Sequence, residues 1–147
     1  TISIFGSYVF QSCVKLTSVI FSNSTCEIGQ NSFEGCGSLT SVNLGNEITK
    51  IGDKSFKGAS KITTITIPSK VTSIGNNVFE SCSSMTTVTF DNSKCSIGES
   101  SFEGCSSITT VSLGSKITEI GNKAFKGCEN LKKFECPNEL KQIFRVL

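Results

Sequence analysis

IGESSFEGCSSITTVSLGSKITEIGNKAFK, residues 97–126, holds one full period of the chain and the opening of the next. Ile97-Gly98 is followed by Phe102, Cys105, Ile108, Val111, Leu113 and Ile117, and at Ile120-Gly121 the order starts again, 23 residues on. The Ile-Gly pair also stands at Ile28-Gly29, Ile51-Gly52 and Ile74-Gly75, with no insertion between any two. A strict period of about 20 to 50 residues marks a stacked repeat architecture, in which no unit can bury its apolar face alone.

Working outward, the period divides the chain into repeats 5–27, 28–50, 51–73, 74–96, 97–119 and 120–142, with a further start at Ile143. The first is degenerate: Phe5-Gly6 stands where Ile-Gly is expected, yet Phe10, Cys13, Leu16, Val19 and Phe21 keep the frame. Residues 1–147 therefore read as a single solenoid, and without a recognisable terminal cap as a slice of a longer array. A second echo lies on top of the first. Residues 21–58 resemble residues 90–127, an offset of 69. FSNSTCEIG answers FDNSKCSIG, and Thr25 or Lys94 replaces an apolar residue just before Cys26 or Cys95. Duplication of a three-repeat block accounts for it.

Spacing within the repeat predicts local structure. Val42-x-Leu44, Ile65-x-Ile67, Val88-x-Phe90 and Val111-x-Leu113 alternate apolar with polar residues, the pattern of a short half-buried strand. Gly45-Asn46, Pro68-Ser69 and Gly114-Ser115 follow as turns. Ile48 to Ile51 and Ile117 to Ile120 form a second apolar cluster. After each Ile-Gly, a segment such as Asn122 to Cys128 has a capping residue at its start and a Gly two after the Phe, which predicts one helical turn. The sum is an α/β repeat solenoid. Stacking is expected to bury six or seven apolar side chains per repeat, each worth roughly 1.5–3 kcal/mol.

Composition narrows the function. The net charge is +2, and 14 basic and 12 acidic residues are scattered without a basic stripe, which argues against nucleic acid. No apolar run approaches a membrane span. The opening Thr1-Ile2-Ser3-Ile4-Phe5 is not a signal peptide and lacks an initiator Met. There is no His, so a Ser or Cys nucleophile would lack its usual base. Glu34, Glu80, Glu103 and Glu119 sit at solvent positions, and SFEGC recurs, which marks scaffold rather than an active site. No enzyme, no cofactor and no metal site is expected; zinc in particular would need convergent ligands. Cys13, Cys36, Cys82, Cys105 and Cys128 share one position with Ala59, which reads as a column of buried free thiols. Asn23-Ser24-Thr25 is a single glycosylation sequon.

Function is best sought on the outward side of the strands, where the core does not dictate identity. The candidates are Ser41 and Asn43, Thr64 and Thr66, Thr87 and Thr89, Thr110 and Ser112, Lys133 and Glu135, preceded by Ser18 and Ile20. Threonine also suits an exposed strand by propensity alone. A broad contact with a protein or glycan fits this hydroxyl array better than a deep pocket, since nothing aromatic lines it. An ice-binding face is a distant third reading, resting on Thr64-x-Thr66 and Thr87-x-Thr89.

The pattern IGxxxFxGCxxLTxVxL…ITxIG, recurring through nearly the whole chain, resembles the BspA-like leucine-rich repeat, also called the Treponema pallidum type. The resemblance implies an arc with a parallel β-sheet on its concave face and short strands or helical turns on the convex side. It also implies a non-enzymatic surface or secreted protein, in several members an adhesin for host matrix or cell-surface proteins. Gly45 and Gly114 depart from the family's usual Pro, which only Pro68 keeps. The alternative is an intracellular scaffold or regulatory binding protein, marked by reduced thiols.

Overall fold

The computed structural model describes residues 4–22 and 26–141. The sequon Asn23-Ser24-Thr25 and the further start at Ile143 lie outside the described residues. In chain order the strands are β1 (Ile4–Phe5), β2 (Ser18–Ile20), β3 (Cys26–Ile28), β4 (Ser41–Asn43), β5 (Ile48–Ile51), β6 (Thr64–Ile67), β7 (Ser73–Ile74), β8 (Thr87–Phe90), β9 (Ser96–Ile97), β10 (Thr110–Ser112), β11 (Glu119–Ile120) and β12 (Lys133–Glu135). Each turn of the chain contributes two of them. All pairs are parallel, and within the Val-x-Leu series the partners are 23 residues apart: Thr87 lies beside Thr64 and Thr110 beside Thr87. The odd-numbered strands make one unbroken sheet, β1-β3-β5-β7-β9-β11. The even-numbered strands make the opposite wall in two pieces, β2-β4 and β6-β8-β10-β12. The protein is thus a parallel-strand β-solenoid.

Two details depart from the α/β expectation. The second apolar cluster is itself a strand: β5 buries Ile48 and Ile51 and turns Thr49 and Lys50 outward. The Ile-Gly to Phe segment is not a helical turn, and between β1 and β12 no described segment is helical; the 3-10 turn Asn138–Leu140 comes after them. The reason lies in where the N–H groups go. Asn31, Phe33 and Gly35 donate to Asp53, Ser55 and Lys57 of the following coil at 2.7–2.8 Å. Lys54, Phe56 and Gly58 repeat this toward Asn76, Val78 and Glu80. A helix would spend these donors within itself; here they stitch coil to coil. Aiming them outward needs left-handed backbone at two places per coil. Asn31, Lys54, Asn77, Ser100 and Lys123 hold φ of 54–58°, and Gly35, Gly58, Gly104 and Gly127 hold φ of 73–78°. Ser81 occupies the second series at φ 63° without being glycine.

The core is a set of columns. Phe33, Phe56, Phe79, Phe102 and Phe125 stack with ring centroids 5.1–5.4 Å apart and planes within 15°. All five are buried. The separation lies inside the range where aromatic rings attract beyond their burial. Ile-Gly is fixed by space rather than by dihedral. A Cβ on Gly98 would fall 2.4 Å from the Gly75 carbonyl oxygen, and one on Gly121 would fall 2.5 Å from the Glu99 nitrogen. Buried serines staple the same place: the Ser101 hydroxyl lies 2.8 Å from the carbonyl of Gly75 and 2.7 Å from that of Gly98, and Ser32 does likewise with Gly6 and Gly29. Cys26 and Cys95 are buried and take over the apolar place that Ile48 holds in its own coil. A register shift between Cys26 and Glu27 absorbs the shorter Cys-x-Ile spacing.

Phe79→Ala removes a ring from the middle of the column and is expected to cost about 3–5 kcal/mol in denaturant unfolding. Ser81→Gly is expected to gain up to about 1 kcal/mol, since relief of left-handed strain exceeds the added chain entropy; a melting scan reads it, and a lowered melting point would refute the strain.

Candidate partner-binding face

The outward residues of the even-numbered strands meet on one surface. Thr64, Thr87, Thr110 and Lys133 form one row in register, and Thr66, Thr89, Ser112 and Glu135 the other. Thr64, Thr66, Lys133 and Glu135 are exposed, while Thr87, Thr89, Thr110 and Ser112 are half-buried between neighbouring rungs. Parallel rungs repeat every ~4.8 Å, so the rows are regular. Ser41 and Asn43 are exposed too, but they stand on the separate β2-β4 piece beside Ser18 and Ile20. The rows end in charge. Lys133 Nζ lies 3.0 Å from Glu135, and the Ser112 hydroxyl donates to the same carboxylate at 3.1 Å. Together they hold the Glu135 carboxyl below the ordinary carboxylate range.

Not every threonine is available to a partner. The hydroxyls of Thr40, Thr86 and Thr109 donate to the carbonyls of Thr17, Thr63 and Thr86 one coil earlier, at 3.1–3.3 Å. Thr72 and Thr118 do the same at the other sheet, toward Thr49 and Cys95. These columns are scaffold, and they account for much of the hydroxyl content.

Two features escaped the sequence reading. The sheet is interrupted between β4 and β6, inside the candidate face. An apolar hollow of about 420 Å³ opens at the first coil, lined by Phe5, Phe10, Leu16, Val19, Phe21 and Phe33. Tyr8, Val9, Phe10, Val14 and Ile20 are the exposed large apolar residues of the described chain, and all belong to that coil. The hollow lies at the first described coil and borders β2, with Ser18 and Ile20 in its lining, and the degenerate Phe5-Gly6 repeat was its one sequence signal.

Three comparisons with known proteins bear on this arrangement. The family model "BspA type Leucine rich repeat region" matches residues 1–108, in 6 copies. No curated protein sequence matches. Among solved structures, a leucine rich cell surface protein from Faecalibacterium prausnitzii A2-165 is 32% identical with TM-score 0.76, over 88% of this chain and 35% of that one. The T. pallidum leucine rich repeat protein is 24% identical with TM-score 0.67, over 98% of this chain and 76% of its own, a likeness of fold. A leucine-rich repeat protein from Bacteroides ovatus ATCC 8483 is 25% identical with TM-score 0.61, over 97% of this chain and 38% of that one. The chain therefore spans about a third of the F. prausnitzii and B. ovatus proteins.

The chemically reactive residues serve the stack. All eight cysteines are free thiols. Cys36, Cys82, Cys105 and Cys128 donate to the carbonyls of Phe10, Phe56, Phe79 and Phe102 in the preceding coil, at 3.1–3.4 Å. Burial pushes the Cys82 thiol up to about 12 and the Cys95 thiol up to about 11. Such thiols are poor nucleophiles and poor metal ligands at neutral pH. Among the described residues no group of three or more Cys, Asp or Glu converges on a metal position. Glu34 accepts from Asn31 and Gln11 at 2.6 and 2.8 Å, and these donors, Asn31 first, lower its carboxyl. Glu80 and Glu103 pair with Lys57 and Lys126 at 2.9 and 3.4 Å.

A thiol whose proton is held more tightly in the folded state supports folding below its unfolded value and loses that support as pH rises. The thiol contribution is therefore expected to be flat up to about pH 9 and then to fall by about 1.4 kcal/mol per pH unit for each such thiol. Cys82→Ala, the residue already present at Ala59, is expected to shallow the slope by one thiol's share in denaturant unfolding across that range. An unchanged slope would refute the burial effect at Cys82.

Proposed function

We propose, since this chain belongs to the BspA type leucine-rich repeat family, that it is a non-enzymatic protein-interaction or adhesion module. Its working surface is the even-numbered sheet, on the concave side of an arc, and its partner is a protein or a glycan. One observation carries the reading. The rows Thr64-Thr87-Thr110 and Thr66-Thr89-Ser112 are in register on a face where the core demands no particular residue. Extended sheet faces of solenoids are the usual binding surfaces of this architecture. A flat hydroxyl array suits a broad and wet contact rather than a tight one, because each hydroxyl adds little and exchanges with water. The face loses its hydroxyl character at Lys133 and Glu135, which set a charged boundary.

Surface display, or secretion, belongs to the same proposal and is supported by the likeness to the F. prausnitzii cell surface protein. No helix among the described residues is long and apolar enough to cross a membrane. The chain spans 35% and 38% of two of its structural relatives, so display and partner are proposed for this stretch alone. A second reading, an intracellular scaffold, is favoured by the eight unpaired thiols, since reducing compartments keep cysteines in that state. Free thiols buried in the core would also persist outside a cell, so the first reading is preferred.

Replacing Thr64, Thr87 and Thr110 together by Lys is expected to reduce partner capture from the native source by tenfold or more, about 1.4 kcal/mol. Exposed and half-exposed changes of this kind shift stability by about 0.5 kcal/mol each, so the melting point is expected to move little. Full capture by a well-folded triple variant would remove this face from consideration.

A further inference from the structure

The hydroxyl face is cut once, and the cut has its own chemistry. Elsewhere a regular set of backbone bonds joins successive coils along this wall. Thr40 donates to Thr17, Thr86 to Thr63 and Thr109 to Thr86, at 2.7–2.9 Å. Phe21 donates to Asn43 and Leu113 to Glu135, both at 2.8 Å, and Asp91 donates to Ile67 at 2.8 Å. None of these has a counterpart between β4 and β6 among the described residues. Thr63 makes no bond to Thr40, and Leu44 makes none to Thr66. Pro68, which stands where Asp91 stands one coil later, has no N–H to give to the Leu44 carbonyl. On the opposite wall the same two coils are held together, Lys50 beside Ser73 and Ile51 beside Ile74. The coils are therefore pinned along one sheet and parted along the other. The result is a wedge of about 340 Å³ that opens on the exposed face.

We propose that this wedge is a binding subsite for a neutral, hydroxyl-rich ligand, a single sugar residue of a glycan. The inference rests on the reading of the strand face as the binding surface. Three observations select the ligand. The first is width. An added peptide strand needs its two neighbours about 9.6 Å apart, twice the ~4.8 Å rung spacing. Cα pairs across the cut still lie within 8 Å, so an extended peptide cannot complete the sheet here. The second is the mixture of groups. Leu44 and Thr66, which both line the wedge, leave the N–H···O=C bond that other rungs make here unformed. Asn43, Asn46, Thr64 and Thr66 line the wedge with side chains that donate and accept. A sugar hydroxyl also does both, whereas an aliphatic ligand would leave these groups unsatisfied. The third is charge. Asp91 is the one ionisable residue in the lining, and it accepts hydrogen bonds without offering a cation to an anionic ligand.

The wedge is partly organised in advance. Gly45, at φ 64°, donates its N–H to Asn43 Oδ1 at 2.9 Å, which fixes the amide and leaves its NH2 group for a ligand. Leu44 and Pro68, both buried, close the floor of the wedge. Volume agrees too, since ligand sites begin at about 300 Å³.

The test is amide-resolved NMR titration of the whole chain with glucose, galactose, mannose, fucose, N-acetylglucosamine and N-acetylgalactosamine, with inorganic phosphate as the anionic comparison. Saturable shifts at Gly45, Asn46, Thr64 and Asp91 are expected for at least one of these sugars in the millimolar range, and none for phosphate. Asp91→Ala, or Asn46→Ala should the first fail to fold, is expected to weaken that sugar tenfold or more. Absence of saturable shifts with every sugar, or an unchanged affinity in a folded variant, would overturn the subsite. If the sugars fail while the triple Lys variant still loses its partner, the face stands and the wedge alone falls. If the triple variant also keeps its partner, both fall.

Discussion

Stacking between coils is the constraint from which the rest follows. The phenylalanine rings sit about one strand spacing apart, so a single repeat distance serves both the aromatic column and the two hydrogen-bonded walls. Neither would hold alone. A 23-residue coil with strands of two to four residues is far below the length at which isolated structure persists. What it has instead is a neighbour above and below that accepts or supplies nearly every backbone group it cannot satisfy itself. The unusual backbone of the Ile-Gly to Phe segment is a consequence, because donors can only be aimed at the next coil by turning through left-handed residues.

The polar residues make sense on the same terms. Serine at Ser32, Ser55 and Ser101 is fully buried, yet its hydroxyl lies against the Gly carbonyls of its own coil and the one before. Cysteine in its column is a small apolar residue with a weak donor, matched to a carbonyl one coil earlier, and Ala59 shows that the volume matters more than the sulfur. Threonine splits into two populations. One caps carbonyls along the walls, and the other stands on the open face without a scaffold task. Composition alone merges the two, which is why an abundance of threonine is weak evidence for a binding surface and its position on the sheet is better evidence.

Much of this was legible in residues 97–126, because a repeated core position announces itself by recurrence. The phenylalanine and cysteine columns, the Val-x-Leu strands and their outward residues follow from spacing alone. The second sheet was harder to see. Ile48-Thr49-Lys50-Ile51 has its apolar residues three apart, a spacing that belongs to no regular strand, and it becomes one only when stacked on its copies. The supposed helical turn misled for a related reason: Asn, Asp and Glu after the Ile-Gly and Gly after the Phe are the signals of helix ends, yet here the residue after the Asn, Asp or Glu, and the Gly after the Phe, turn left-handed corners. The cut between β4 and β6 was the least visible feature. Val42-x-Leu44 and Ile65-x-Ile67 look like every other rung, and only Pro68 hints that a bond is missing.

The glycines of the Ile-Gly pairs touch the backbone of the preceding coil so closely that no side chain can be admitted there. An insertion or deletion of a few residues would carry a bulky residue into that contact, so the lineage of such a molecule can grow or shrink only by whole turns. The 69-residue echo is the trace of that arithmetic. Heredity here edits by the paragraph, and novelty is confined to the letters that face outward.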